Sequence, residues 1–350
     1  MIRLAASRLL GFGPLGQLAG GSGLPAAQWC ATSRSTTGTS QHGGTPRPIT
    51  AADIQAANDH GAGAGASRPR SVELAAHIAG IRAAKMTSSL IPLCHNINLS
   101  KVGVAFEPLG GDDVRVVATA SASGQTGIEM EALAAAAFAA INLLGARQGA
   151  APGIGRIRNL QLELKEGGKS GSWLRPGFGH RGVAFLPPAA AVDADAEAAP
   201  GPSSLLDLVT RAQDAVSAVS GPHGATATAR LSIPLPAWQQ LVDNVNKKGD
   251  VLGVARLAGI MAADSTRVLV APGCGATAYQ QQLQIDVVLS PSAPGRLDIA
   301  AHAACHGPHG VNMVALTCAA VAALTVYDMC KASSKGTVIE DLAVAEVSGQ

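Results

Sequence analysis

The residues best able to do chemistry fall in short strings along this 350-residue chain. Leu93-Cys94-His95 forms a loop string; a histidine standing alone there would be an ordinary loop residue. Thr126-Gly127-Ile128-Glu129-Met130-Glu131 opens an apolar run, and Thr126 with Glu129 three residues on makes a helix-capping box. Capping explains Glu129 without a ligand but leaves Glu131 unexplained. Lys165-Glu166-Gly167-Gly168-Lys169-Ser170-Gly171 combines charge with glycines that let backbone approach a phosphate. Its spacing is not that of a nucleotide-binding loop. Lys247-Lys248-Gly249-Asp250 precedes a helical pattern containing Arg256. Asp328 and Lys331 stand three apart, so on a helix they share a face. A carboxylate beside an ammonium stays ionised and orients the amine as proton donor or acceptor. On a polar helix this would be a surface ion pair; here it closes the apolar run Val314 to Val326, which points to a buried junction.

The elements that must position these strings occur twice. Copy one spans about 50–175 and copy two about 229–350; 176–228 reads as a Pro/Ala-rich linker with a short helix in LLDLVTRAQDAVSAV. Ile81 matches Ile260, and Glu129 matches Asn312, with four extra residues placed in the loops between. Each copy reads as a helix ending at Ala79-Gly80 or Ala258-Gly259, a Pro/Cys loop, a β-hairpin, a long Ala-rich helix and a final strand. Antiparallel hairpins with helices on one face make an α+β layer. The Val314–Val326 run is too short to span a bilayer and reads as a buried helix.

Composition narrows the class. Hydrophobic residues make up 47% of the chain and aromatics only 3%, so the core is built from Ala, Val, Leu and Ile. A formal charge of +2 gives no case for nucleic acid. Six cysteines without CxxC or metal-finger spacing fit free thiols in a reducing compartment. The first 52 residues hold no Asp or Glu and four Arg, the composition of a mitochondrial transit peptide, so residues 1–49 are set outside the fold.

Taken together, IPLCH, TGIEMEAL, KGDV with the following AR.AGI, YDMCK and the closing Gly-Lys-Ser-Gly resemble the MoaC family, the cyclic pyranopterin monophosphate synthases of molybdenum cofactor biosynthesis. The resemblance covers both copies. It implies two ferredoxin-like (MoaC-like) domains forming a fused pseudo-dimer. It also implies a lyase that converts (8S)-3',8-cyclo-7,8-dihydroguanosine 5'-triphosphate to cyclic pyranopterin phosphate plus diphosphate. By the same resemblance Asp328, Lys331 and Lys248 are the catalytic residues. Leu93, Cys94, His95, Glu129, Met130, Glu131, Lys165, Lys169 and Arg256 contact the substrate. The family assembles as a trimer of dimers, so three fused chains are expected. No metal ligands and no cofactor are called for, beyond Mg2+ that can accompany a triphosphate; no nucleic-acid or membrane partner is expected.

Neither copy holds the full set. Copy one has Pro69 at the KGDV lysine, His77 at the helix Arg, and Leu144-Gly145-Ala146-Arg147-Gln148 at YDMCK. Copy two has Cys274 at the histidine, Asn312-Met313-Val314 at EME and Val347 at the closing Lys. The losses are complementary. The expectation is therefore one composite site between the copies, opposite a mirror site disabled by Pro69, Gly145, Gln148, Cys274, Asn312 and Val314. The competing expectation is an inactive subunit, or a nucleotide-binding partner, of an intact homologue.

Overall fold

The computed structural model describes residues 2–3, 30–37, 68–110, 113–148, 155–177, 223–271, 281–306 and 310–348. In chain order its elements are β1 (Ile2–Arg3), β2 (Cys30–Thr37), α1 (Arg68–Lys85), α2 (Thr87–Leu90), β3 (Leu99–Gly110), β4 (Asp113–Ala122), α3 (Glu129–Gln148), β5 (Arg156–Glu166) and β6 (Trp173–Leu174). Then follow β7 (His223–Ser232), α4 (Leu235–Val242), α5 (Val251–Leu269), β8 (Gln281–Ala293), β9 (Arg296–His306), α6 (Asn312–Cys330) and β10 (Val338–Ser348). Copy two, β7-α5-β8-β9-α6-β10, is a ferredoxin-like βαββαβ unit. Copy one repeats the order as β2-α1-β3-β4-α3-β5.

One ten-stranded sheet joins the copies in the order β3-β4-β2-β5-β10-β7-β9-β8. The sequence is its own mirror when copy one is exchanged for copy two, and the centre of symmetry lies between β5 and β10. These two final strands pair antiparallel, Leu160 opposite Ile339 and Ile157 opposite Leu342. Alternate residues of each strand face the helices; in β9 these are Leu297, Ile299, Ala301, Ala303 and Cys305, all in the common core. The two Ala-rich helices α3 and α6 pack on the sheet and on each other across the centre. Every residue of α6 from Met313 to Cys330 is buried, as the apolar run requires.

The copies superpose residue for residue at their tightest contact. A Cβ on Gly80 would stand 2.8 Å from the Ala135 carbonyl oxygen, with Val104 and Ala139 next. A Cβ on Gly259 would meet Cys318, Ala322 and Val287, the equivalent three positions. These glycines correct one expectation. Neither helix ends there: α1 continues to Lys85 and α5 to Leu269. The glycines are mid-helix because the following layer approaches too closely for a side chain, not because a left-handed cap is needed. The four extra residues belong to copy two, between Gly259 and Val287, the stretch equivalent to the one that carries Cys94 and His95 in copy one.

Two boundaries also move. Residues 1–49 were expected outside the fold, yet Cys30–Thr37 lies in the sheet between β4 and β5, parallel to both. It fills the slot that β7 fills antiparallel in copy two, and so pairs two strand edges that would otherwise be open. In copy two β7 begins at His223, inside the expected linker, because its whole length is needed to pair with β9 and β10. The expected helix in LLDLVTRAQDAVSAV, and Cys274, lie outside the described residues.

Candidate active site

Antiparallel packing of α3 and α6 sets the first turn of one against the last turn of the other. Glu129 opens α3 and Lys331 closes α6, each where the helix dipole favours its charge; Asp328, in the last turn of α6, is held against the dipole by its lysine partners. Lys331 Nζ lies 2.9 Å from Asp328 Oδ1 and 3.7 Å from Glu129 Oε2. Lys248 Nζ is paired with the other Asp328 oxygen and donates to the Asp328 carbonyl at 3.2 Å. Lys165 Nζ is paired with Glu129 Oε1 and donates to Ser170 Oγ at 2.8 Å. Three lysines and two carboxylates, drawn from both copies, thus form one continuous chain of ion pairs.

Local structure fixes each member. Asp250 caps α5, accepting from Gly253 N at 3.0 Å, and Gly249 turns the chain with φ +94°. Lys248 N donates to Asn246 Oδ1, and Asn246 Nδ2 donates to the Met329 carbonyl, which seats the turn on the end of α6. Across the sheet, Lys169 N donates to the Gln125 carbonyl, joining the Gly-Lys-Ser loop to the segment before α3.

The side chains enclose a cavity of about 490 Å³. Of the expected site residues, Leu93, Cys94, His95, Glu129, Lys165, Lys169, Lys248, Asp328 and Lys331 line it. Met130 does not; it is fully buried in the core. Glu131 lies behind the wall, where its Oε1 accepts from Cys94 Sγ at 3.9 Å and its Oε2 has no hydrogen-bond partner. Arg256 is away from the cavity, exposed on α5 and paired with Asp286 at 2.7 Å. Its helix turns it outward, which nearness to Lys248 in sequence does not reveal. The capping role foreseen for Glu129 is likewise not its main one: its two oxygens hold lysines from the two copies. Lys335, Ser170 and Gln125 also line the cavity and were not anticipated. Lys335 stands in a Ser/Gly-rich loop four residues past Lys331, beyond the end of α6, and nearness to YDMCK in sequence was the only available signal.

Burial alone would lower the Lys331 pKa, but Asp328 and Glu129 outweigh it and raise it, so the amine stays protonated at neutral pH. Burial alone would raise Glu129, but Lys331 and Lys165 outweigh that and hold it below the usual carboxylate range. Burial, helped by Glu131, pushes the Cys94 thiol up to about 12, which keeps it from acting as a thiolate. Burial pushes Glu131 up to about 7. A fixed cation, Lys331, thus lines the cavity, and a carboxyl poised to titrate near neutrality, Glu131, lies buried behind its wall.

Comparison with known proteins matches both copies to one family. The MoaC family profile matches residues 64–168 and 217–350, one stretch in each copy. A cyclic pyranopterin monophosphate synthase of Desulforapulum autotrophicum is 44% identical over 107 residues, 30% of this chain and 65% of the relative. One of Methylobacterium nodulans is 44% identical over 130 residues, 37% of this chain and 79% of the relative. The first match thus spans just under two thirds of the relative, and each is about as long as one copy here. With both halves of the chain matched, the protein belongs to the MoaC family.

Proposed function

We propose that the chain is a cyclic pyranopterin monophosphate synthase acting in molybdenum cofactor biosynthesis, with one composite site per chain. Its reaction would convert (8S)-3',8-cyclo-7,8-dihydroguanosine 5'-triphosphate to cyclic pyranopterin phosphate and diphosphate. The observation that carries this reading is the convergence of Glu129 and Lys165 from copy one with Lys248, Asp328 and Lys331 from copy two around one cavity. Lys331, held protonated, is placed to donate a proton, with Asp328 orienting it and Lys248. The excess of lysines over carboxylates suits a triphosphate. Both cavity carboxylates already bind lysines, so Mg2+ would travel on the substrate's phosphates rather than on this chain.

Three chains are proposed to assemble. Ile78 on α1 and Leu257 on α5, equivalent positions, are both exposed, as are Leu74 and Met261 one turn away from them. Sedimentation of the purified protein at three chain masses is the expected result. A mitochondrial matrix location is proposed from the acid-free, Arg-containing composition of the N-terminal segment.

The test is to supply purified full-length protein with the cyclised nucleotide and measure pyranopterin and diphosphate. Turnover is expected, with Asp328→Asn lowering kcat by about 10²–10⁴. Diphosphate binding without turnover by the wild type would instead support an inactive nucleotide-binding relative. Turnover undiminished by Asp328→Asn would remove the roles assigned here.

A further inference from the structure

The cavity's lysines divide into two sets. Lys165, Lys248 and Lys331 are held in ion pairs with Glu129 or Asp328. Lys169, on copy one, and Lys335, on copy two, line the same cavity but neither forms an ion pair with a carboxylate among the described residues. Lys335 is not a loose surface side chain, because its backbone is bound on both sides. Tyr327 Oη, at the buried end of α6, donates to the Lys335 carbonyl at 3.5 Å. Arg175 donates to the carbonyls of Gly336 at 3.3 Å and Thr337 at 3.2 Å. Arg175 is itself anchored to β5, donating Nε to the Leu162 carbonyl at 2.7 Å, and stacks 5.4 Å from the Trp173 ring. The residue just past the copy-one lysine loop thus fixes the copy-two lysine loop. Burial and the neighbouring charges of Lys165 and Lys331 lower the Lys335 pKa against the pull of Glu129, so nearby cations outweigh the nearby carboxylate. A polyanion between them relieves that repulsion.

We propose that Lys335 is a phosphate-binding residue, which with Lys169 grips the diphosphate end of the substrate from the opposite copy, and that Arg175 is its positioning residue. This rests on the synthase reading and deepens it: the ion-paired lysines serve proton transfer and the unpaired two serve anion binding.

The experiment is calorimetric titration of the full chain with inorganic diphosphate, alongside turnover of the cyclised nucleotide. Lys335→Gln is expected to weaken diphosphate binding about tenfold and raise KM similarly, leaving kcat within about threefold. Lys335→Arg, which keeps the charge, restores most of both. Lys101→Gln, on the exposed strand β3, changes neither. Wild-type diphosphate affinity in Lys335→Gln, or no diphosphate binding by the wild type, overturns the proposal. Lys335-dependent diphosphate binding without any turnover upholds the anion site while removing the synthase reading. Normal turnover with unchanged KM in Lys335→Gln does the reverse.

Discussion

The two junctions between α3 and α6 are built on the same backbone plan and differ almost wholly in side chains. At one, Glu129 faces Asp328 and Lys331. At the other, Asn312 opens α6 and buried Gly145 occupies the position equivalent to Asp328. Where the first junction has Glu131 behind its wall, the second has buried Val314. The second junction also contains something the first lacks. Asn142 on α3 donates to the Leu269 carbonyl at 2.9 Å and accepts from Ala271 N at 2.8 Å, bolting the copy-two loop to the helix of copy one. Its counterpart Thr325 spends its hydroxyl within its own helix, on the Val321 carbonyl. A symmetric dimer must repeat every side chain at both interfaces. Fusion removes that constraint, so one junction can concentrate charge while the described residues of the other make neutral hydrogen bonds and apolar packing.

The sharpest way to break this contrast is to alter equivalent residues on the two sides. Glu129→Gln removes the partner of Lys165, whose side chain is 4% exposed, and loosens Lys331. Leaving a buried ammonium uncompensated costs about 3 kcal/mol, and displacement of Lys331 is expected to lower turnover about a hundredfold. Asn312→Ala, at the matching position, should leave turnover unchanged. Chemical denaturation and steady-state rates on the two variants check this. Equal loss from both would show that the junctions are functionally equivalent, against the asymmetry.

Much of this asymmetry was legible in the chain because helix termini are easy to place: YDMCK and EMEAL each mark an end, and antiparallel neighbours must juxtapose opposite ends. What was not legible depends on rotation and on approach distance. Arg256 follows Lys248 by two helical turns, but the face it occupies is set by how α5 packs, and that face looks outward to Asp286. Glycine normally signals a helix end, and only the 2.8 Å gap to Ala135 shows why Gly80 sits mid-helix instead. Lys335 lies in a loop without periodicity, and its aim depends on Arg175, 160 residues away in sequence. Strand β2 was hidden because an acid-free leader and a polar, Thr/Ser-rich strand share the same composition.

A smaller effect tests the same contrast through pH. Glu131 has its pKa raised by burial to about 7, whereas Val314 cannot titrate. A carboxyl whose folded pKa lies above its unfolded value stabilises the fold below the unfolded value, and that stability is lost as pH rises through about 7. Between pH 5 and pH 8 the wild type is expected to lose about 2 to 3 kcal/mol from this group. Glu131→Gln, neutral at both pH values, should flatten that slope, and the urea midpoint at the two pH values measures it. A slope unchanged in Glu131→Gln would place the titration elsewhere.

The smallest effect is expected where the copies remain alike. Gly80 and Gly259 hold the same close crossing of helix on helix, but not to the same tightness. A Cβ at position 80 meets a backbone oxygen at 2.8 Å and Val104 at 2.9 Å; at position 259 its nearest neighbours stand at 3.0 and 3.1 Å. Backbone in a packed core cannot step aside as a side-chain tip can, so both Gly→Ala variants strain the crossing despite the helix propensity that alanine adds. Gly80→Ala is expected to cost about 2 kcal/mol and Gly259→Ala about 1 kcal/mol. Thermal melts of the two variants rank them. After Gly80 the chain runs through α2 into the loop bearing Cys94 and His95, whereas the cavity residue before Gly259, Lys248, is tied to the end of α6 through Asp328 and Asn246. A shift of α1 at Gly80 should raise KM, while a shift of α5 at Gly259 runs into the loop that Asn142 holds on the opposite side. If the two variants instead destabilised equally and moved KM equally, the crossing would be coupled to both junctions alike, and the asymmetry would be confined to the charged side chains.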